Sequence, residues 1–352
     1  MEAYQQLEHE WSSFNNLDPK GMVCCSSGTA ALHLALEAFR LPPGSGVLVP
    51  DFTMIACPRA VTLAGLTPVF VDCGDDLNMD MMLVPKAMSS ETMVAMLVHV
   101  YGRRCPDVRR VPAAKGNMLP DHCDYVVEDL AEAHGIKPHE WTDAACWSFY
   151  RNKIVAGEEG GAVWFRDPDH AALARQLRSL GFTEAHDFMH VPRGHNYRMS
   201  NLHASWILGE SDSAFTGVCG GSNPNGLPRV NVNLKLRKEI EGWYDEACTE
   251  EWRMPPRDAP WVYDLRLRER GMSVYKLQRV VTALNDAGIA ARTGFRPMTE
   301  QMEYRGCQRV TKDAIWNAWQ ASREVFYLPI QPGKTTQADV RRSFEVIRSI
   351  TG

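Results

Sequence analysis

CWSFYRNKIVAGEEGGAVWF, residues 146–165, governs how the rest of the chain is read. It opens on an apolar, aromatic run, passes through Lys153 and a glycine-rich turn (Gly157, Gly160, Gly161), and closes on a second apolar run. Two short runs of strand-forming residues around such a turn predict strand, turn and strand. Lys153 has apolar neighbours on its strand side and small ones on the other. That setting suits a side chain aimed into a pocket. An amine is a nucleophile only when neutral, a state that burial and neighbours can arrange. Surface exposure is the commoner fate of a lysine, so the rest of the sequence has to support the pocket.

Working outward, apolar or β-branched runs recur at 22–25, 47–49, 69–71, 94–100, 125–127, 146–149 and 162–165. Helical patterns lie between several of them, at 29–39, 54–63 and 170–180. Strands alternating with helices predict an α/β fold, a mostly parallel sheet between helices. Such sheets bind ligands at the carboxyl ends of their strands. Two further segments put polar residues there. In CCSSGTAALHLALEAF (24–39) a strand runs through Gly28 and Thr29 into an Ala- and Leu-rich helix, whose open N–H groups attract a phosphate. An ordinary Ser or Thr N-cap reads the same way. In DYVVEDLAEAHG (124–135) a strand ends on Glu128 and Asp129. A carboxylate at that point can hold a pyridinium nitrogen protonated, and a helix-capping Asp would look alike.

SSGTAALHLAL, VLVPDFTMIACPRAV, TPVFVDCGDDLNMD, LVHVYGR, VVEDLAEAHG, SFYRNKIVAGEEGGAV and HNYRMSNLHA follow one another in this order. Together they resemble the DegT-type sugar aminotransferase family, of the aspartate aminotransferase superfamily with its pyridoxal phosphate (PLP) fold type I. The likeness covers about 20–210 and continues more faintly through GIAARTGFRP and FYLPIQPG. It implies a PLP-dependent aminotransferase, with pyridoxamine phosphate as the intermediate form of the cofactor. The amino group would move from glutamate or glutamine to a keto-sugar, nucleotide-linked, or to a related ketone. It implies Lys153 as the catalytic Schiff-base lysine, Asp129 on the pyridinium nitrogen, and Glu132 (often Gln in the family) near the cofactor's 3-oxygen. Gly28, Thr29 and Ser148 would cradle the phosphate. Met54 would stand at the position that stacks on the ring, usually aromatic in the family. Asn196 would reach the cofactor phosphate of a neighbouring subunit, so the implied assembly is a homodimer with shared active sites. No metal ion is implied.

Other readings on the same fold are a PLP-dependent dehydration, decarboxylation or modification of a non-sugar metabolite, or a catalytically silent regulatory protein. The family's sugar dehydratases typically carry His in place of the lysine, and Lys153 is retained. A silent protein would give no spectral response to any amino donor. Departures from the family pattern fall on substrate recognition: Met54, Thr299 where the family often has His, and a Gly-, Ser- and Asn-rich stretch at 211–233.

That stretch divides the chain into three expected parts. Residues 1–210 would form the large PLP-binding domain, 211–233 a loop or insertion, and 234–352 a small C-terminal domain. The last part reads as helix (234–250), strand (261–267), and helices at 273–287 and 337–350. A length of 352 residues with 45% hydrophobic and 23% charged side chains is ordinary globular composition. The net charge of -5 argues against a nucleic-acid polymer as partner. No window is apolar enough to span a bilayer, so no membrane partner is expected. The ten cysteines show no CxxC and sit mostly in apolar runs, which suits a reducing cytosol. His186, His190 and His195 lack an HExxH-type signature, and no metal site is expected of them. His99 and His134 read as pocket or core residues, Trp141, Trp147 and Trp164 as packing. Arg292 and Arg296 have the forked geometry for a substrate carboxylate or phosphate.

Overall fold

A computed structural model of the chain describes residues 1–106, 124–183, 185, 188–191, 193–209, 223–269, 271–311 and 317–351. Helix α1 (Ala3–Asn15) packs on strand β1 (Met22–Cys25), which leads into α2 (Gly28–Ala38). Then follow β2 (Gly46–Pro50), α3 (Ala56–Leu63), β3 (Thr67–Val71), the short α4 (Val84–Ala87), β4 (Thr92–Val98), β5 (Tyr125–Asp129), β6 (Ala144–Ser148) and β7 (Gly161–Phe165). Helices α5 (Pro168–Arg178), α6 (Asn201–Leu208) and α7 (Val230–Ala247) lie before β8 (Val262–Arg266). The chain ends through α8 (Val274–Asp286), β9 (Arg292–Thr293), β10 (Arg309–Val310), α9 (Asn317–Glu324), β11 (Val325–Pro329) and α10 (Gln337–Thr351).

Eight strands form one sheet in the order β1-β7-β6-β5-β4-β2-β3-β10. Every neighbouring pair is parallel except the two that involve β7. β7 runs backwards because a short glycine-bearing segment, with no crossover helix, joins it to β6. Strands β1, β2 and β7 are buried along their whole length, as a sheet covered on both faces requires. The carboxyl ends of β2, β4, β5 and β6 therefore share one edge, with the amino end of α2 beside them.

A three-stranded antiparallel sheet, β8-β11-β9, packs with α7, α8 and α10 around a second core that includes Tyr244, Tyr263, Leu277 and Phe326. The short β10 from this end of the chain pairs with β3 of the large sheet. β8 is also tied to the large sheet by buried charge. Both terminal nitrogens of Arg103 donate to Asp264 at 2.8 Å, and Arg257 donates to Asp264 Oδ1 and to Glu241 Oε1. Burial alone would push the Asp264 carboxyl up, but the two guanidinium groups outweigh it and hold it below the usual range.

Of the expected loop at 211–233, residues 211–222 lie outside the described ones, and the rest corrects the expectation. A helical turn at Leu227–Arg229 leads into α7 at Val230, four residues before the expected start. Pro228 and the asparagines read as loop formers. Pro is tolerated in a first helical turn, however, and the Asn233 side chain donates to the Pro224 carbonyl at 2.9 Å. Trp141 corrects a second expectation: it is 47% exposed and lies outside the buried core.

Candidate active site

Lys153, Asp129, Glu132, Ser148, Gly28, Thr29 and Met54 all line one cavity of about 850 Å³, within the range of small-molecule sites. Asp129 is the last residue of β5 and Ser148 the last of β6. Gly28 and Thr29 open α2, so their N–H groups have no partner within the helix. Ser27 caps that helix by accepting from the Ala30 N–H at 3.1 Å. The sequence alternatives of N-cap and phosphate site are thus compatible, since the capping oxygen belongs to Ser27 and leaves the first two donors free of it. A Cβ on Gly28 would stand 2.7 Å from the Ser148 Cβ. Only glycine lets the helix end come this close to β6.

Asp129 is 7% exposed. Its Oδ1 accepts from the Ala131 N–H at 2.9 Å and its Oδ2 lies 3.1 Å from the Cys57 thiol. Burial, and then Asp129 itself, push the Cys57 thiol well up, so it stays protonated and donates. Among the described residues Asp129 makes no ion pair. A buried carboxylate held by one amide and one thiol lacks the cation that burial demands.

Lys153 follows β6, its amide bonded to the Tyr150 carbonyl at 2.8 Å. Its Nζ lies 3.9 Å from Glu132 Oε1 and 4.3 Å from the centre of the Trp261 ring. Trp261 is fixed in turn by donating to the Asn152 carbonyl at 2.7 Å. Glu132 Oε2 accepts from the Tyr101 N–H at 3.0 Å. Tyr101 sits in the left-handed region (φ 54) and is followed by Gly102 at φ 82, where a Cβ would meet the Ala259 oxygen at 1.8 Å. Burial pushes the Glu132 carboxyl up to about 7, against the pull of Lys153 and the Tyr101 amide.

The remaining sequence candidates separate cleanly. Asn196 is exposed and does not line the cavity of its own chain. Met54 lines the cavity and is 52% exposed. Arg292 lines it beside Tyr327, and Arg296 does not. His99 is a core residue: it accepts from the Cys105 N–H on Nδ1, so Nε2 carries the proton and donates to Glu128 Oε2 at 2.8 Å. Thr299 serves Asp51, donating from its amide and its hydroxyl at 2.9 Å each. His186 is outside the described residues, His190 bonds the Leu180 carbonyl, and His195 bonds Glu37 at 2.6 Å with His33 beyond it. Trp261, on the cavity wall, and Tyr101, behind Glu132, were not legible as site residues, because each comes from an element distant in sequence.

These residues fit PLP on the structure's own terms. A helix end with close backbone suits its phosphate, a buried carboxylate with no ion pair among the described residues suits its ring nitrogen, and a cavity-lining amine suits its aldehyde. A model of the DegT/DnrJ/EryC1/StrS aminotransferase family matches residues 2–210 and 227–348. The chain is 32% identical to GDP-perosamine synthase of Caulobacter vibrioides, over 92% of this chain and 84% of that protein. It is 28% identical to a UDP-N-acetyl-3-dehydro-alpha-D-glucosamine 3-aminotransferase of Acidithiobacillus ferrooxidans, over 93% and 83%. Its fold is similar to that of S. venezuelae DesV, crystallised with a ketimine intermediate, at a TM-score of 0.77 and 25% identity over 99% and 88% of the two chains.

Proposed function

This chain belongs to the DegT/DnrJ/EryC1/StrS aminotransferase family, and from that membership we propose that it moves an amino group from glutamate or glutamine to a nucleotide-linked keto-sugar. It is an aminotransferase with PLP as cofactor. The substrate class is supported by the relatives' names, GDP-perosamine synthase among them, and by the size of the cavity. The observation that carries the reading is the placement of Lys153 and of Asp129, which makes no ion pair among the described residues, in one cavity with the α2 amino end.

Bound PLP supplies an aldehyde for amino groups and an electron-withdrawing ring. The chain's residues do the rest. The Gly28 and Thr29 N–H groups and Ser148 would hold the phosphate, helped by the α2 dipole. Asp129 would keep a proton on the ring nitrogen. Lys153 Nζ would hold the cofactor through its aldehyde, and as an amine on the cavity wall it would be the group that accepts and returns a proton. Met54, on the cavity wall, would pack against the ring, as a thioether can on an aromatic face. Arg292, on the cavity wall, offers its fork to a carboxylate or phosphate of the substrate.

We assign the assembly as a homodimer, with Asn196 of each subunit reaching the phosphate held by the other. Its exposure on its own chain supports this. Among the described residues no helix is long and apolar enough to cross a membrane. Cys24, Cys57, Cys146 and five further cysteines are free thiols, which supports a reducing cytosolic setting.

An absorbance spectrum before and after glutamate or glutamine tests the function. We expect a visible band from lysine-bound cofactor that gives way to a near-ultraviolet one. Lys153→Ala should lose the visible band and borohydride trapping. A visible band indifferent to every amino donor would sink the aminotransferase reading, and a trapped, coloured Lys153→Ala protein would sink the lysine.

A further inference from the structure

We infer that Glu132 is the base that takes the proton Lys153 must shed before its amine captures the cofactor's aldehyde; the inference rests on the PLP reading above. Both close partners of Nζ, the Glu132 carboxyl at 3.9 Å and the Trp261 ring at 4.3 Å, attract an ammonium ion. An ammonium has no lone pair to attack with. The same pair that holds the side chain in place therefore also has to provide an exit for its proton.

Glu132 is built for that exit. One oxygen is tied to the Tyr101 amide at 3.0 Å, which leaves the other facing Nζ. The titratable groups that act on it come from several elements: Asp129 ending β5, Asp264 in β8, the phenols of Tyr101 and Tyr327, the Cys57 thiol on α3, and Lys153 itself. Burial first, then Asp129 and Asp264, oppose ionisation while Lys153 and the Tyr101 amide favour it, so the carboxyl, pushed up to about 7, accepts a proton readily. The competing buried base is His134, which burial and Lys153 push down to about 3. Its Nδ1 is already engaged by the Val155 N–H. The comparison favours Glu132 as the acceptor.

The step balances. One proton passes from the ammonium to the carboxylate, directly or through one water, leaving a neutral amine and a carboxylic acid. The amine lone pair forms the bond to the aldehyde carbon. The carbonyl oxygen departs as water with the two remaining amine protons, and the Glu132 proton stays in place.

The test is the rate at which PLP-free full-length protein develops the visible band on mixing with PLP, followed from pH 6 to about 9.5. The wild type should capture slowly below an inflection near pH 7, where Glu132 is already protonated, and level off above it. Glu132→Gln keeps the shape and can still accept from the Tyr101 amide. It should be at least about tenfold slower at pH 7, show no inflection there, and gain rate continuously towards pH 9.5. Glu132→Asp should keep an inflection at reduced rate. A Glu132→Gln profile that matches the wild type overturns the inference. So does a folded Glu132→Gln protein that forms no band even at pH 9.5, which would make the residue a binding group, and so does failure of both variants to fold. A wild type without a band at any pH fails the PLP reading itself, an outcome distinct from all of these.

Discussion

At the scale of single residues the site depends on close approach. Gly28 stands where any Cβ would meet the Ser148 Cβ at 2.7 Å, a strand-end atom that cannot swing away. Gly28→Ala should therefore push the α2 amino end from β6. We expect a loss of about 1–3 kcal/mol by urea unfolding, the usual cost of overpacking, and weaker PLP binding in a spectroscopic titration. Unchanged cofactor affinity would remove Gly28 from the phosphate cradle. Gly28, Asp129 and Lys153 were legible because each sits at or just after the end of a strand that nearby residues specify. The contacts of Lys153 with Glu132 and Trp261 were not legible. They join positions 21 and 108 residues apart, and nothing local records such a meeting.

At the scale of elements, the weak point is the buried charge that ties β8 to the loop after β4. Asp264 receives Arg103 and Arg257 together. Asp264→Ala would leave two buried guanidinium groups without it and should cost about 3–5 kcal/mol in urea unfolding. A loss under about 1 kcal/mol would show that the network is dispensable. The pH dependence has a definite sign. The folded carboxyl lies below its ordinary value, so its contribution is fully present above pH ~4, the unfolded value, and fades as the pH falls through the lower folded one. Thermal unfolding followed from pH 6 to 3 should show that fall, and Asp264→Asn should flatten it. Periodicity placed most strands and helices within one or two residues. It failed at Val230, where asparagine and proline imitate a loop although Pro228 sits in a first helical turn and the Asn233 amide donates to the Pro224 carbonyl.

At the scale of the whole molecule, shared sites in a homodimer make a sharp prediction. Lys153→Ala and Asn196→Ala proteins should each be impaired alone. Dissociated, mixed and reassembled, they form heterodimers in which one site regains both wild-type residues. With random pairing, about a quarter of wild-type aminotransfer should return. No recovery despite proven heterodimers would place Asn196 outside the partner's site. Local patterning determined the α/β class, the mostly parallel sheet and the strand ends where the chemistry sits, because alternation of apolar runs with helical periods is written into neighbouring residues. The ordered motifs carried the family in the same way. Only the tertiary structure decided that Trp261 and Glu132 flank Lys153, that Asp129 has no cation among the described residues, and that β10 returns to the large sheet. Those facts depend on distances between segments far apart in the chain, which packing sets and local sequence does not encode.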